Sequence, residues 1–148
     1  MTERIQISSL SPKGYRAVNH LDSYVNEALD TELVNFIYLR ASLMNGCTYC
    51  VDAHSVDLVE GGTDPRRVYS VTTWRESSFY SERERAAFAM TEQLTALNGN
   101  GGVDDATWAE AAAVFTEQEL SDIVLAIGTI NIWNRIAIGT RMPTPPLT

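Results

Sequence analysis

The chain has 148 residues, 45% of them hydrophobic and 20% charged, and its net charge is -8. That length and balance, with no biased tract, fit one globular domain able to bury a core. An acidic surface repels phosphate backbones and anionic lipid, which argues against nucleic acid and membranes as partners.

The N-terminus, Met1-Thr2-Glu3-Arg4-Ile5-Gln6, is polar and lacks the apolar segment of a signal peptide, so a soluble, cytoplasmic protein is expected. Residue patterns then predict helices along the whole chain. Ser11-Pro12 reads as an N-cap followed by proline at the first helical position. Tyr15, Val18, Leu21, Val25 and Leu29 recur at helical spacing to about Asp30. Thr31 is the expected cap of the next helix, which carries Leu33, Phe36, Ile37, Leu39 and Leu43 and ends at Asn45-Gly46. A third helix runs from the cysteines to about Glu60 and stops at Gly61-Gly62. Asp64-Pro65 restarts a helix bearing Val68, Val71 and Trp74.

Ser81-Glu82-Arg83-Glu84 is a capping box that opens a helix with Ala87, Phe88, Met90, Leu94 and Leu97. Asn98-Gly99-Asn100-Gly101-Gly102 predicts a mobile loop. A short helix containing Trp108 follows, from about Asp104 to Val114. Thr116-Glu117-Gln118-Glu119 is a second capping box, starting a long helix to about Gly139, and Pro143-Thr144-Pro145-Pro146 ends all helix. No run alternates with period two for long enough to argue a sheet. The expected fold is therefore all-α, a single domain over residues 1–148 with about seven helices.

The final helix is apolar nearly all round, with Ile123, Val124, Leu125, Ile127, Ile130, Ile132, Trp133, Ile136 and Ile138. Asn131, Asn134 and Arg135 interrupt it, and the stretch reads as too short to span a bilayer. Such a helix is expected either to lie partly in a subunit interface, making the protein a homo-oligomer, or to sit at the centre of the other helices.

Both cysteines of the chain and one of its two histidines fall within Asn45-Gly46-Cys47-Thr48-Tyr49-Cys50-Val51-Asp52-Ala53-His54. On a helix, Cys47 and Cys50 at i, i+3 and Cys50 and His54 at i, i+4 share one face. The break at Asn45-Gly46 puts both cysteines in the first helical turn, where unpaired N–H groups and the helix dipole favour thiolate. His54 can take the Cys50 proton, or as imidazolium stabilise the thiolate. In a reducing compartment this pair reads as catalytic or metal-binding rather than as a staple. Two further readings stay open on spacing alone. The cysteines could be inert packing, or Cys47, Cys50 and His54 could hold zinc with Asp52, Asp57 or water as a fourth ligand. His20 receives no role.

The stretch Leu39-Arg40-Ala41-Ser42-Leu43-Met44-Asn45-Gly46-Cys47-Thr48-Tyr49-Cys50-Val51-Asp52-Ala53-His54 closely resembles the core of alkylhydroperoxidase D-like (AhpD-like) proteins of the carboxymuconolactone decarboxylase superfamily, with its pattern L-R-x-S-x-x-N-G-C-x-x-C-x-x-x-H. Asn131-Ile132-Trp133-Asn134-Arg135 resembles the W-N-R stretch of the same family. The resemblance implies an all-helical fold, homo-oligomers (often trimers or hexamers) and thiol-dependent peroxidase activity. It implies Cys50 as peroxidatic cysteine, Cys47 as resolving cysteine and His54 in the proton relay. The decarboxylase branch lacks the cysteine pair, so its activity does not transfer. The chain departs from the pattern where the family has a relay glutamate, twelve residues before the first cysteine; that position is Asn35. Glu32, one turn earlier, is the expected substitute. Tyr49 stands between the cysteines, a position that is sometimes histidine in the family.

The expected function is a thiol peroxidase or disulfide oxidoreductase acting on a hydroperoxide and reset by an external dithiol, of lipoyl type or on a thioredoxin-like protein. The alternative is a redox-sensing or ligand-binding oligomer whose disulfide only switches conformation. No Gly-rich dinucleotide motif is present and no cofactor is expected.

Overall fold

Local sequence chemistry fixes where each helix starts. In the computed structural model, which describes residues 2–97, 99 and 101–147, α1 (Ile7–Leu10), α2 (Pro12–Ala28), α3 (Thr31–Asn45) and α4 (Thr48–Glu60) are followed by α5 (Pro65–Tyr69), α6 (Glu82–Thr95), α7 (Asp105–Val114) and α8 (Glu117–Thr140). A 3-10 turn, Ser70–Thr73, continues α5. No strand occurs among the described residues, and the all-α reading holds.

Both predicted capping boxes are formed. The Ser81 and Thr116 hydroxyls each accept from the backbone N–H three residues on, while Glu84 and Glu119 reach back to the cap. The Arg83 guanidinium and the capping hydrogen bonds hold the Glu119 carboxyl down at about 2. Asp30, not Thr31, caps α3: its carboxylate accepts from Leu33 N–H at 3.0 Å, making Thr31 the first helical residue. The predicted helix through Val71 and Trp74 shortens to α5 plus the 3-10 turn. Leu97 lies past the end of α6 and is exposed. The short α1, which buries no residue, had no sequence signal. Of the predicted loop at Asn98–Gly102, Asn98 and Asn100 lie outside the described residues, and the three glycines take positive φ.

α3 is the central element. Nine of its residues are buried, Leu33 to Leu39 without a break, because α2, α4, α6 and α8 all pack against it. A helix enclosed in this way needs no single apolar stripe. Phe36 lies in an aromatic cluster, edge-on to Tyr80 at 5.7 Å and Phe88 at 5.8 Å. On the other side, Val34, Ile37 and Ala41 join Val25, Met90, Ile123, Ile127 and Ile130 in a second cluster that also takes in Cys47 and Cys50.

The sequence reading of α8 as too short for a bilayer does not hold, since by length and composition this one helix could span it. Its place in the fold is different. Ile123, Ala126, Ile127, Ile130 and Ala137 pack into the core, and the buried Asp122 and Asn134 are hydrogen-bonded by Tyr24 and Asn45. Val124, Leu125, Ile132 and Ile138 remain on the exposed side.

Candidate functional site

The cysteine turn is held from two directions. Gly46 takes φ of 70°, a left-handed conformation that ends α3 and reverses the chain. Asn45 then ties this corner to α8, its Nδ2 donating to Asn131 Oδ1 at 3.0 Å and to Asn134 Oδ1 at 2.8 Å. The fully buried Asn134 donates onward to Ser42 Oγ at 2.9 Å. Asn131 and Asn134 lie more than eighty residues from Asn45 in sequence, so this network positions the cysteines by tertiary contact.

Cys47 is the N-cap of α4 rather than a first-turn residue, and its sulfur accepts from Cys50 N–H at 3.3 Å. The two cysteines are joined as a disulfide, with Cα atoms 5.4 Å apart. Both are buried in the core wall, yet Cys50 opens onto a pocket of about 180 Å³. Tyr15 and Asp22 of α2, Tyr49 and His54 of α4, and Trp133 of α8 line it beside Cys50. Tyr15 and Trp133 meet edge to face at 5.2 Å. Cysteines that only filled space would not face an opening. While the disulfide is closed, neither sulfur is available as a thiolate ligand.

His54 lies one turn beyond Cys50. Its Nδ1 is 3.2 Å from Asn35 Oδ1 and 3.5 Å from Asp57 Oδ2. An amide oxygen only accepts, so the Asn35 contact places the proton on Nδ1 and leaves Nε2 free as a base. Tyr38 sets its ring edge-on to the imidazole at 5.0 Å and donates its hydroxyl to Asp22 Oδ1 at 2.6 Å. Burial pushes the His54 pKa below its ordinary value, against the pull of the Asp57 and Asp22 charges. Burial and the bond to Asp22 raise the Tyr38 phenol far above its usual range.

Glu32 is placed elsewhere. Its Oε1 accepts from Thr63 Oγ1 at 2.6 Å and from an Arg67 nitrogen at 2.8 Å, and Arg67 also pairs with Glu84. The structure thus joins Cys47, Cys50 and His54 but gives His54 the Asn35 amide rather than the Glu32 carboxylate. Two residues three positions apart on a helix are about 4.5 Å apart along its axis, enough to send them to different neighbours. His20 is exposed on α2. Sequence reasoning missed Asp22 and Tyr38, which arrive from other helices. Asp57 entered it only as a zinc ligand, although it extends the Cys50–His54 stripe by one turn.

The carboxymuconolactone decarboxylase family model matches residues 12–93, more than half of the chain. The chain belongs to the carboxymuconolactone decarboxylase family. The uncharacterized protein YdfG of Bacillus subtilis (strain 168) is 31% identical over 139 residues, covering 93% of this chain and 94% of that one. A crystal structure from Agrobacterium tumefaciens, of a protein of unknown function suggested to be the antioxidant defence protein AhpD, superposes with a TM-score of 0.93 at 35% identity. It covers 99% of this chain and 100% of its own. The debrominase Bmp8 shares the fold, with a TM-score of 0.79 at 23% identity over 93% of this chain and 74% of its own. This family member therefore has the AhpD-like helical fold, with a C-x-x-C disulfide at the start of α4 that fits a redox role.

Proposed function

We propose that this family member is a thiol peroxidase that reduces hydroperoxides through Cys50 and Cys47. The observation that carries the reading is the disulfide in a pocket wall with His54 one turn along the same helix. In the reduced protein the Cys50 thiol gives its proton to His54, and the thiolate attacks a peroxide oxygen. The O–O bond breaks, Cys50 becomes a sulfenic acid, and the departing alkoxide takes the proton to leave as an alcohol. The Cys47 thiol then attacks the Cys50 sulfur, forming the disulfide and releasing water. An external dithiol, of lipoyl type or on a thioredoxin-like protein, reduces the disulfide and becomes a disulfide itself. Glu32 stands outside this cycle, since Thr63 and Arg67 hold its carboxylate.

The exposed Val124, Leu125, Ile132 and Ile138 on α8 support self-association of the protein, with trimers or hexamers as the expected sizes. Light scattering should give a multiple of the 16.4 kDa chain mass, and a lone 16.4 kDa species at micromolar concentration would refute it.

The deciding experiment is peroxide consumption with a panel of dithiols, wild type beside Cys50→Ser and Cys47→Ser. Turnover in the wild type alone supports the peroxidase. A disulfide that opens and closes without sustained turnover would instead support a redox switch.

A further inference from the structure

We propose that Asp57 is the positioning residue for His54, completing a Cys50–His54–Asp57 line at i, i+4, i+7 on α4, with its carboxylate steadying the imidazolium that forms when Cys50 gives up its proton. The inference rests on the peroxidase reading for its purpose, but its geometry stands without that reading. Asp57 Oδ2 lies 3.5 Å from His54 Nδ1, and the Asp57 carboxylate has no other partner among the described residues. The two border a cleft lined also by Asp22, Asn35, Tyr38 and Glu60, and His54 borders the Cys50 pocket as well.

The groups around the ring divide the work. Asn35 comes from α3 and is neutral: it orients the ring but adds no charge when the ring becomes a cation. Tyr38, also from α3, presents its ring edge, and its hydroxyl is given to Asp22. Asp22, from α2, already accepts from Tyr38 and from Asn26 Nδ2 at 3.2 Å. Glu60 lies further along α4, and no lysine or arginine lines the cleft. Asp57 is therefore the carboxylate free to strengthen its hold as the ring charges, since a hydrogen bond between ions is roughly twice as strong as a neutral one. The proton itself moves only between Cys50 Sγ, His54 Nε2 and the departing alkoxide; Asp57 takes none. Asp57 also repels the Cys50 thiolate, but seven residues of helix put the two about 10 Å apart, whereas Asp57 lies 3.5 Å from His54, and Coulomb energy falls with distance. The effect through His54 wins.

The test uses the reduced protein and two readouts that need no peroxide. The His54 ring is titrated by NMR, and the rate of Cys50 alkylation by iodoacetamide is followed against pH in a Cys47→Ser background. Asp57→Asn should move the His54 titration to lower pH and slow Cys50 alkylation near neutral pH by about two- to fivefold, the size of a half-exposed charge pair. Asp57→Glu should restore most of the rate. Asp52→Asn removes a carboxylate from the same helix on another side and should change neither. An unmoved His54 titration in Asp57→Asn, or an equal shift in Asp52→Asn, would overturn the proposal. If the wild type consumes no peroxide with any dithiol while Asp57→Asn still shifts both readouts, the peroxidase reading falls and the Asp57–His54 pairing stands.

Discussion

Two successive turns of α3 carry polar side chains to opposite fates. Glu32 enters a closed charge cluster: Thr63 and Arg67 donate to it, Arg67 reaches on to Glu84, and the guanidinium stacks over Phe36 at 4.8 Å. Asn35 meets His54, whose other Nδ1-side partner is the half-exposed Asp57. The first cluster pairs its charges, with only the buried Arg67 Nε left without a partner among the described residues, and joins α3 to α5 and α6. The second is left short of one strong partner, beside a pocket and a cleft. A charge that holds a fold is best fully paired, whereas a group that must gain and lose a proton needs a partner whose grip can change.

The sharpest way to break this contrast is to alter the reactive side. Cys50→Ser should abolish peroxide turnover, and Cys47→Ser should stop at a Cys50 sulfenic acid that a dimedone adduct would reveal in the mass spectrum. A Cys50→Ser protein that still cycles would move the chemistry elsewhere. His54→Gln should slow peroxide-dependent oxidation of Cys50 by about 10²-fold or more, the usual share of a positioned acid–base group. An unchanged rate would leave the thiolate to the helix N-terminus alone.

The closed cluster should answer in stability and not in reactivity. Arg67→Ala removes the counter-ion of Glu32 and Glu84, whose remaining partners are Thr63 and Ser81, and strips the guanidinium from Phe36, so chemical denaturation should show a loss of about 1 kcal/mol. The Cys50 alkylation rate should stay as in the wild type. A large fall in that rate would show that the two clusters are coupled through α3.

The smallest expected effect is in pH dependence. The part-buried His54 binds protons less readily when folded than its ordinary 6.5. Its contribution to stability is therefore complete above that value and declines as pH falls below it, because the unfolded chain takes up the proton first. His54→Gln should flatten that part of the pH–stability curve, measured by denaturant midpoints between pH 7 and 5. An unchanged slope would assign the acid limb to carboxylates.

The sequence was most informative where the interaction is local. Capping boxes at Ser81 and Thr116, proline at the helix starts of α2 and α5, and the left-handed Gly46 are set by residues within a turn of each other, and their helices began or ended where expected. The same holds for the cysteine pair and His54, which share one helix face by spacing. Period and capping carried the all-α fold for the same reason. The departures arose where neighbours distant in sequence decide. Nothing near Glu32 announces that Arg67 and Thr63 will claim it, and nothing near His54 announces Asp22 or Tyr38. The composition of α8 let it read as an interface helix or as the centre of the fold, and tertiary packing buried one side and left Val124, Leu125, Ile132 and Ile138 on the other. Spacing along a helix thus determined which groups can react, while the packing of α2, α4 and α8 around α3 decided which of them are poised to do so, because burial and the choice of hydrogen-bond partner belong to the assembled core.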